Sequence, residues 1–404
     1  MSASTERDRD AQGVQAVAET PPARDATASP ISRRLLAGAR SAPGLLLAIG
    51  LVWLIFFVTT EGIFLSDRNL INLMRQTSVT AMVALGMLVV IAQGEIDLSV
   101  GSLLGVCTAT IALLESSGSV SWIVTILVAL GIGISVGLWN GIWVARLGIP
   151  AFVATLGGLL MFRGISLAST GGRTISGIGD EIQYLGQAFL DGPILWAFLA
   201  AGLVIALLPL RRIGNERERR KALRVAMVGV AVIAAVTWAS LSYRGLPVPV
   251  ALTLTVAVIL AWTLDNTVWG RHVYAVGGNR AASRVAGIPI GRQIIVGYVL
   301  IGVLTVLASV LFVGRLAAAP PEAGYFLELD AIAAVVIGGT SLYGGSGTVP
   351  GVLLGALLMQ SLSNGLSLMN VPTAYQNITK GLVLVLAVYL DAVSKRGGRP
   401  FLRG

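Results

Sequence analysis

Long apolar runs alternate with short polar connections from residue 43 to residue 392. A helix needs about 20 residues to cross the hydrocarbon core of a bilayer, and these runs have roughly that length. Because backbone groups inside a membrane must be paired within the protein, the pattern predicts an all-α, polytopic transmembrane helical bundle with about 12 spans, within a range of roughly 10–12. The predicted spans are 44–60, 78–93, 98–115, 121–145, 150–169, 193–210, 224–242, 247–264, 293–313, 329–341, 349–369 and 373–391.

The two ends of the chain are polar. Residues 1–42 are rich in Ala, Arg, Asp and Thr and contain three prolines, which predicts a disordered cytoplasmic tail. Residues 393–404 are predicted to form a second, basic cytoplasmic tail. The transmembrane domain lies between them, at 43–392.

Positive charge gives the bundle a predicted orientation. Of the 29 Lys and Arg residues, 22 fall in the two tails and in connections on one side of the predicted spans, and five fall in the opposite connections. The positive-inside rule therefore puts both termini in the cytoplasm. The net charge of +9 is explained by this distribution, and no aromatic and basic constellation indicates nucleic acid.

The most polar cytoplasmic connection, 265–292, contains four arginines. Its middle, 279–286, is predicted to form one short helix, because Asn279 can cap its start and Gly287 with Pro289 can end it. A small helix outside the bilayer suits docking into a groove on a partner protein. The alternative is an ordinary basic loop that anchors two spans.

Two interrupted segments, glycine-rich or polar, occur at membrane depth: 93–101 lies between the second and third predicted spans, and 338–350 ends the short tenth span. Such breaks are tolerated at membrane depth only where protein packs around them or where they line a wet cavity. The sequences around them are similar, with Val-Val-Ile before each break and Gly-x-Leu-Leu-Gly after it. The similarity indicates two weakly related halves, as in transporters that place the substrate beside paired broken helices, unless it is chance similarity between apolar strings.

The chain lacks the usual signatures of an enzyme. No Gly-x-x-x-x-Gly-Lys-Ser/Thr sequence occurs, so we expect no nucleotide bound by this chain. His272 is the single histidine, and no set of Cys and His residues has metal-ligand spacing. We therefore predict no catalytic, cofactor or metal site.

Polar side chains at membrane depth are the candidates for a substrate pathway, because burying a charge at the centre of a span costs roughly 2.5–3.5 kcal/mol. The candidates are Glu95, Asp97, Ser99, Asn140, Asn364 and Lys380.

Each candidate also has a structural alternative. Asp97 has the pattern of an N-cap for the third span, and Glu95 can lie in interfacial water. Asn140 and Asn364 can bond between helices instead of meeting a substrate hydroxyl. Lys380 needs a carboxylate or a wet cavity, and Glu328 and Asp330 are its conceivable partners.

Three stretches, 94–101, 276–288 and 329–341, resemble the permease subunits of bacterial ABC importers for monosaccharides, the ribose/xylose group. The resemblance extends from about residue 63 to residue 391. The stretch 367–373, followed by Lys380, is most similar to the xylose-type permeases, and so is the insertion of two spans around the connection 211–224. Glu95 departs from the family, which usually has Gly there, so ribose, galactose or arabinose remain alternative substrates.

This resemblance implies a type II-like importer in the bacterial cytoplasmic membrane. Two permease copies would form the pore, an extracytoplasmic binding protein would deliver sugar, and a separate cytoplasmic ABC ATPase would hold ATP and Mg²⁺. One group of residues would match the family's coupling helix, which docks on that ATPase. These residues are Gly277, Gly278, Asn279, Arg280, Ala282, Arg284, Ala286 and Gly287.

Two rival functions need no ATPase. One is an ion-driven secondary sugar transporter that uses Glu95, Asp97 and Lys380 as a relay. The other is a membrane channel or scaffold. Transport by the purified chain that collapses with the proton gradient would favour the first, and conduction without an ATPase would favour the second.

Overall fold

A computed structural model describes residues 30–207 and 244–395 of the chain and the single positions 223, 230 and 237. Residues 1–29 of the predicted N-terminal tail, most of the predicted span 224–242 and residues 396–404 lie outside the described residues. The described residues contain fourteen α-helices and four strands of two residues each. The helices are α1 (Pro30–Thr59), α2 (Asp67–Ala92), α3 (Val100–Ser116), α4 (Trp122–Ala145), α5 (Ala151–Thr170), α6 (Asp180–Gln187), α7 (Gly192–Leu207), α8 (Val248–Asn266), α9 (Val268–Gly278), α10 (Arg280–Val285), α11 (Ile290–Leu316), α12 (Leu327–Ile337), α13 (Val349–Leu368) and α14 (Thr373–Lys395).

The helical bundle has the character of a polytopic membrane protein. Among the described residues, six helices are long and apolar enough to cross a membrane, and they are α2, α4, α5, α8, α11 and α13. The exposed side of α4 carries Leu127, Val128, Ile134 and Leu138, which suits contact with lipid rather than water. The prediction of an all-helical polytopic bundle is confirmed at this level.

Helices α2 and α11 form the centre of the bundle. In the most apolar window of α2, 78% of the residues are buried, against 22% in α4, so α2 is surrounded by protein. Helix α4 runs antiparallel along α11 through Gly133, Gly137 and Gly141. A Cβ on Gly137 would lie 2.5 Å from the carbonyl oxygen of Tyr298, so the two backbones can approach only because glycine stands there.

Three helix boundaries differ from the predicted spans. Helix α1 begins at Pro30, so residues 30–42, predicted to be part of a disordered tail, are helical, and their Ala, Leu and Arg content favours helix. Helix α2 begins at Asp67 because its polar first turns are held by Asn69, whose amide bonds to Asn364. Helix α12 has only 11 residues, because it ends at Gly338, where the glycine-rich segment begins.

Two short antiparallel strand pairs close one end of the bundle. Strand β1 (Ile175–Ser176) pairs with β4 (Ala318–Ala319), and β2 (Phe189–Leu190) pairs with β3 (Leu246–Pro247). Strand β4 follows the end of α11, whereas α10 precedes the start of α11. The 27 residues of α11 span about 40 Å, so the strand pairs and α10 lie at opposite ends of the bundle.

Candidate functional site

The polar connection between α8 and α11 consists of two helices, α9 and α10. The side chain of Thr267 accepts a hydrogen bond from Gly270 N at the start of α9. At the start of α10, Asn279 Oδ1 accepts from Ala282 N at 2.9 Å. Gly287, with φ of 73°, terminates α10, because only glycine adopts this left-handed conformation readily. The capped short helix that the sequence predicts is therefore present.

Helix α10 has an outer and an inner face. Ala281, Ala282 and Arg284 are exposed on the outer face, and the Val285 side chain is 90% exposed. Ser283 is buried on the inner face. A groove of about 350 Å³ runs beside the helix, where Arg280 and Arg284 meet apolar side chains from the adjacent ends of α4 and α11. An exposed valine beside such a groove has the character of a protein contact surface.

The glycines at the end of α9, in the turn before α10, pack closely against both interrupted segments. We call Gly94, Gly277, Gly278, Gly344 and Gly345 the glycine junction. Gly345 N donates a hydrogen bond to the last carbonyl of α2, Ala92 O, at 2.9 Å. A Cβ on Gly277 would overlap Ala92 O and lie 2.7 Å from Gly345 N. A Cβ on Gly344 would lie 2.9 Å from Gly94 N. A movement of this turn toward the bundle would therefore press on the backbones of both interrupted segments.

An ion pair adds a side-chain connection at the same place. Arg280 Nη2 donates to Glu95 Oε1, and it also donates to the carbonyl of Gln93 at 3.3 Å. Glu95 is 7% exposed. The predicted alternative, Glu95 in interfacial water, does not describe this buried carboxylate, because its charge is met by a guanidinium from α10.

Residues 93–99, between α2 and α3, form an irregular segment held by long-range hydrogen bonds. Gln93 Nε2 donates to Gln293 O at 2.9 Å, and Tyr298 Oη donates to Ile96 O at 3.2 Å. Both partners belong to α11. The backbone carbonyl of Ile96, which lies outside any helix, is therefore paired by α11, as irregular backbone inside a bundle requires.

Three predicted pathway residues form one buried hydrogen-bonded chain. Asn140 Nδ2 donates to Ser99 Oγ at 2.9 Å, and Ser99 Oγ donates to Asp97 Oδ1 at 2.6 Å. Within the described part of the chain, Asn140 Oδ1 is buried without a hydrogen-bond partner. The N-cap of α3 is Ser99, so Asp97 is not the N-cap; its carboxylate instead binds the backbone and hydroxyl of Ser99. This hydrogen-bonded chain of Asp97, Ser99 and Asn140 offers acceptors suited to a hydroxylated molecule.

The other two predicted pathway residues lie elsewhere. Lys380 Nζ on α14 pairs with Asp330 Oδ2 on α12 at 2.8 Å, which selects Asp330 from the two conceivable partners. Asn364 exchanges amide hydrogen bonds with Asn69, at 2.8 and 3.1 Å, and so takes the interhelical alternative.

Sequence reasoning missed the partners of Glu95 and Asn364. Glu95 and Arg280 are 185 positions apart, and Asn69 and Asn364 are 295 apart, so no local pattern joins them. The one available signal was the unusual acid at Glu95, because a carboxylate at membrane depth needs a counter-charge.

A polytopic bundle with a polar internal segment and an exposed helix at one end defines a membrane permease. The chain belongs to the family described as branched-chain amino acid transport system / permease component, which matches residues 69–388.

Individual relatives are similar over most of their length. The xylose transport system permease protein XylH of Haemophilus influenzae is 40% identical over 87% of this chain and 96% of its own. XylH of Escherichia coli is 40% identical over 86% of this chain and 91% of its own. The ribose import permease protein RbsC of Escherichia coli is 36% identical over 85% of this chain and 92% of its own. No solved structure matches the chain. The resemblance to the monosaccharide permeases of the ribose/xylose group, which the sequence motifs indicated, is confirmed.

Proposed function

We propose that this chain is the transmembrane permease subunit of an ATP-driven ABC importer that carries D-xylose across the bacterial cytoplasmic membrane. The observation that carries the proposal is the similarity to xylose permeases along nearly the whole chain. The buried hydrogen-bonded chain of Asp97, Ser99 and Asn140 and the exposed α10 support it, because an importer needs both a pathway for the sugar and a contact surface for its ATPase. Ribose, galactose or arabinose is the alternative cargo within the same mechanism.

We further propose twelve spans, two related halves and cytoplasmic termini. The excess of Lys and Arg on one side of the predicted spans supports this orientation. The glycine junction supports the relation between halves, because residues 93–97 and 338–348 meet the same turn before α10. Two copies of the chain would complete the pore, and an extracytoplasmic binding protein would deliver the sugar on the side of the strand pairs.

The outer face of α10 would dock on the partner ATPase, which would hold ATP and Mg²⁺. A partner helix or loop can bury Val285 and place an acidic side chain beside Arg284 in the adjoining groove. Closure of an ATPase dimer on nucleotide would then displace α10, since a ligand shifts an equilibrium only through different affinities for two states.

Val285→Asp should reduce copurification of the ATPase about tenfold or more, because a charge would replace the most exposed apolar side chain of the contact. Insertion should be unchanged, since the side chain faces water. Val268→Asp, at an exposed valine of α9 in the same connection, is the matched control and should retain the ATPase. Equal ATPase recovery from both variants would argue against docking through α10.

The substrate route would include Glu95, Asp97, Ser99 and Asn140, where the unpaired Asn140 Oδ1 can accept a hydrogen bond from a sugar hydroxyl. We expect Asp97→Asn to lower sugar uptake about tenfold at equal membrane abundance. An amide still accepts from Ser99, so the fold should persist, but the charged acceptor is lost. Asp67→Asn, at an exposed carboxylate, is the control. Unchanged uptake in Asp97→Asn would leave Asp97 a purely structural role.

The proposal as a whole is tested by reconstitution. Proteoliposomes with the permease, its ATPase and a sugar-loaded binding protein should accumulate labelled xylose only with ATP, and a panel of pentoses and hexoses should identify the cargo. Accumulation by the permease alone that collapses with the proton gradient would instead establish an ion-driven transporter.

A further inference from the structure

Arg280 holds segment 93–99 at two points. It binds the carboxylate of Glu95 and the carbonyl of Gln93, two residues apart. Its own side chain is 47% exposed, whereas that of Glu95 is 8% exposed, so the pair reaches from the surface of α10 into the protein. A buried carboxylate depends on its cation, because separating them leaves an uncompensated charge in a poorly solvated place.

The segment that Arg280 holds leads directly to the hydrogen-bonded chain of Asp97, Ser99 and Asn140. Two residues after Glu95 comes Asp97, which binds Ser99 and through it Asn140. The segment is not helical, and neighbouring side chains hold its backbone. A displacement of Glu95 is therefore passed to Asp97 over two peptide units, without first deforming a helix.

The glycine junction and the ion pair transmit force in different directions. Backbone contacts at Gly277 and Gly344 resist compression, so they pass on an inward push of α10. Such contacts separate freely when α10 moves outward. An ion pair with hydrogen bonds resists separation, so it can draw the segment after the helix.

We propose that the Glu95–Arg280 ion pair is the link through which outward movement of α10 pulls segment 93–99 and rearranges the Asp97–Ser99–Asn140 chain. This inference rests on the proposed function, since it assigns α10 the movement of a coupling helix. In this scheme Glu95 borders the route without binding the sugar, so Glu95 and Arg280 are positioning residues, whereas Asp97 and Asn140 face the substrate.

The test is a double-mutant cycle in nanodiscs that contain the permease with its ATPase and sugar-loaded binding protein. Glu95→Gln and Arg280→Gln should each lower sugar-stimulated ATPase activity and uptake about tenfold. Glu95→Gln, which leaves the surface of α10 unaltered, should not change copurification of the ATPase. The double variant should lose no more than either single variant, because both remove the same link. Arg271→Gln, an exposed arginine of α9, is the matched control.

Two results would overturn the link. One is a Glu95→Gln variant whose sugar-stimulated ATPase activity and uptake stay within about twofold of the unsubstituted chain. The other is a double variant in which the activity losses of the two single variants multiply. If Glu95→Gln alone does not insert, the double variant decides, because it removes both partners and leaves no uncompensated charge in the interior. Failure of the unsubstituted complex to import sugar would instead refute the proposed function.

Discussion

Gly277→Ala is expected to abolish ATP-driven sugar uptake. The new methyl group would overlap Ala92 O and press on Gly345 N, so it would displace the hydrogen bond that joins these two groups. Backbone atoms cannot rotate away as a side chain can, and overpacking of this kind costs about 1–3 kcal/mol or more. The strain would separate the turn before α10 from both interrupted segments, and uptake in proteoliposomes measures the result.

The neighbouring glycine provides a closely matched control. A Cβ on Gly278 would meet only Gly345 Cα, at 3.9 Å, which is ordinary van der Waals contact. Gly278→Ala should therefore retain uptake within about twofold of the unsubstituted chain. Normal uptake by Gly277→Ala would mean that the two backbones can part without consequence, and the glycine junction would then have no part in transport.

The sequence predicts the local features of the fold. Apolar runs identify α1 to α5, α7, α8 and α11 to α14, because the run length needed to cross a bilayer is itself the signal. Helices α6 and α9 correspond to no predicted span. Asn279 and Gly287 identify both ends of α10, since caps depend on residues a few positions apart. The function of α10 as a docking helix stays a prediction that the experiments above address.

Features that depend on distant residues could not be predicted. The polar start of α2 at Asp67 has no apolar signal, and Asn69 is explained only by its pairing with Asn364. The same is true of Glu95, which is isolated in sequence and acquires its counter-charge only when α10 folds against it. Asp97 shows a subtler case: its pattern predicts a helix cap, but α3 begins two residues later and leaves the carboxylate in the interior. The identity of a polar residue's partner, which decides its role, is a property of the assembled bundle.

Lys380→Met is expected to destabilise the permease by about 3–5 kcal/mol, because the Asp330 carboxylate would lose its cation inside the protein. Both side chains are largely buried, at 20% and 11% exposure, so water cannot replace the lost partner. The thermal unfolding temperature of the detergent-purified protein measures the effect, and sugar uptake should fall with the amount of folded permease.

The second substitution at this pair separates stability from transport. Adding Asp330→Asn to Lys380→Met removes both charges, and since a neutral pair has no desolvated ion, most of the unfolding temperature should return. If uptake returns with it, the ion pair only joins α12 to α14. If the double variant is stable but does not import sugar, the charges themselves belong to the transport route, as the sequence first indicated for Lys380. An unfolding temperature unaffected by Lys380→Met would show instead that Asp330 is held neutral or solvated, and the pair would then contribute nothing to the fold.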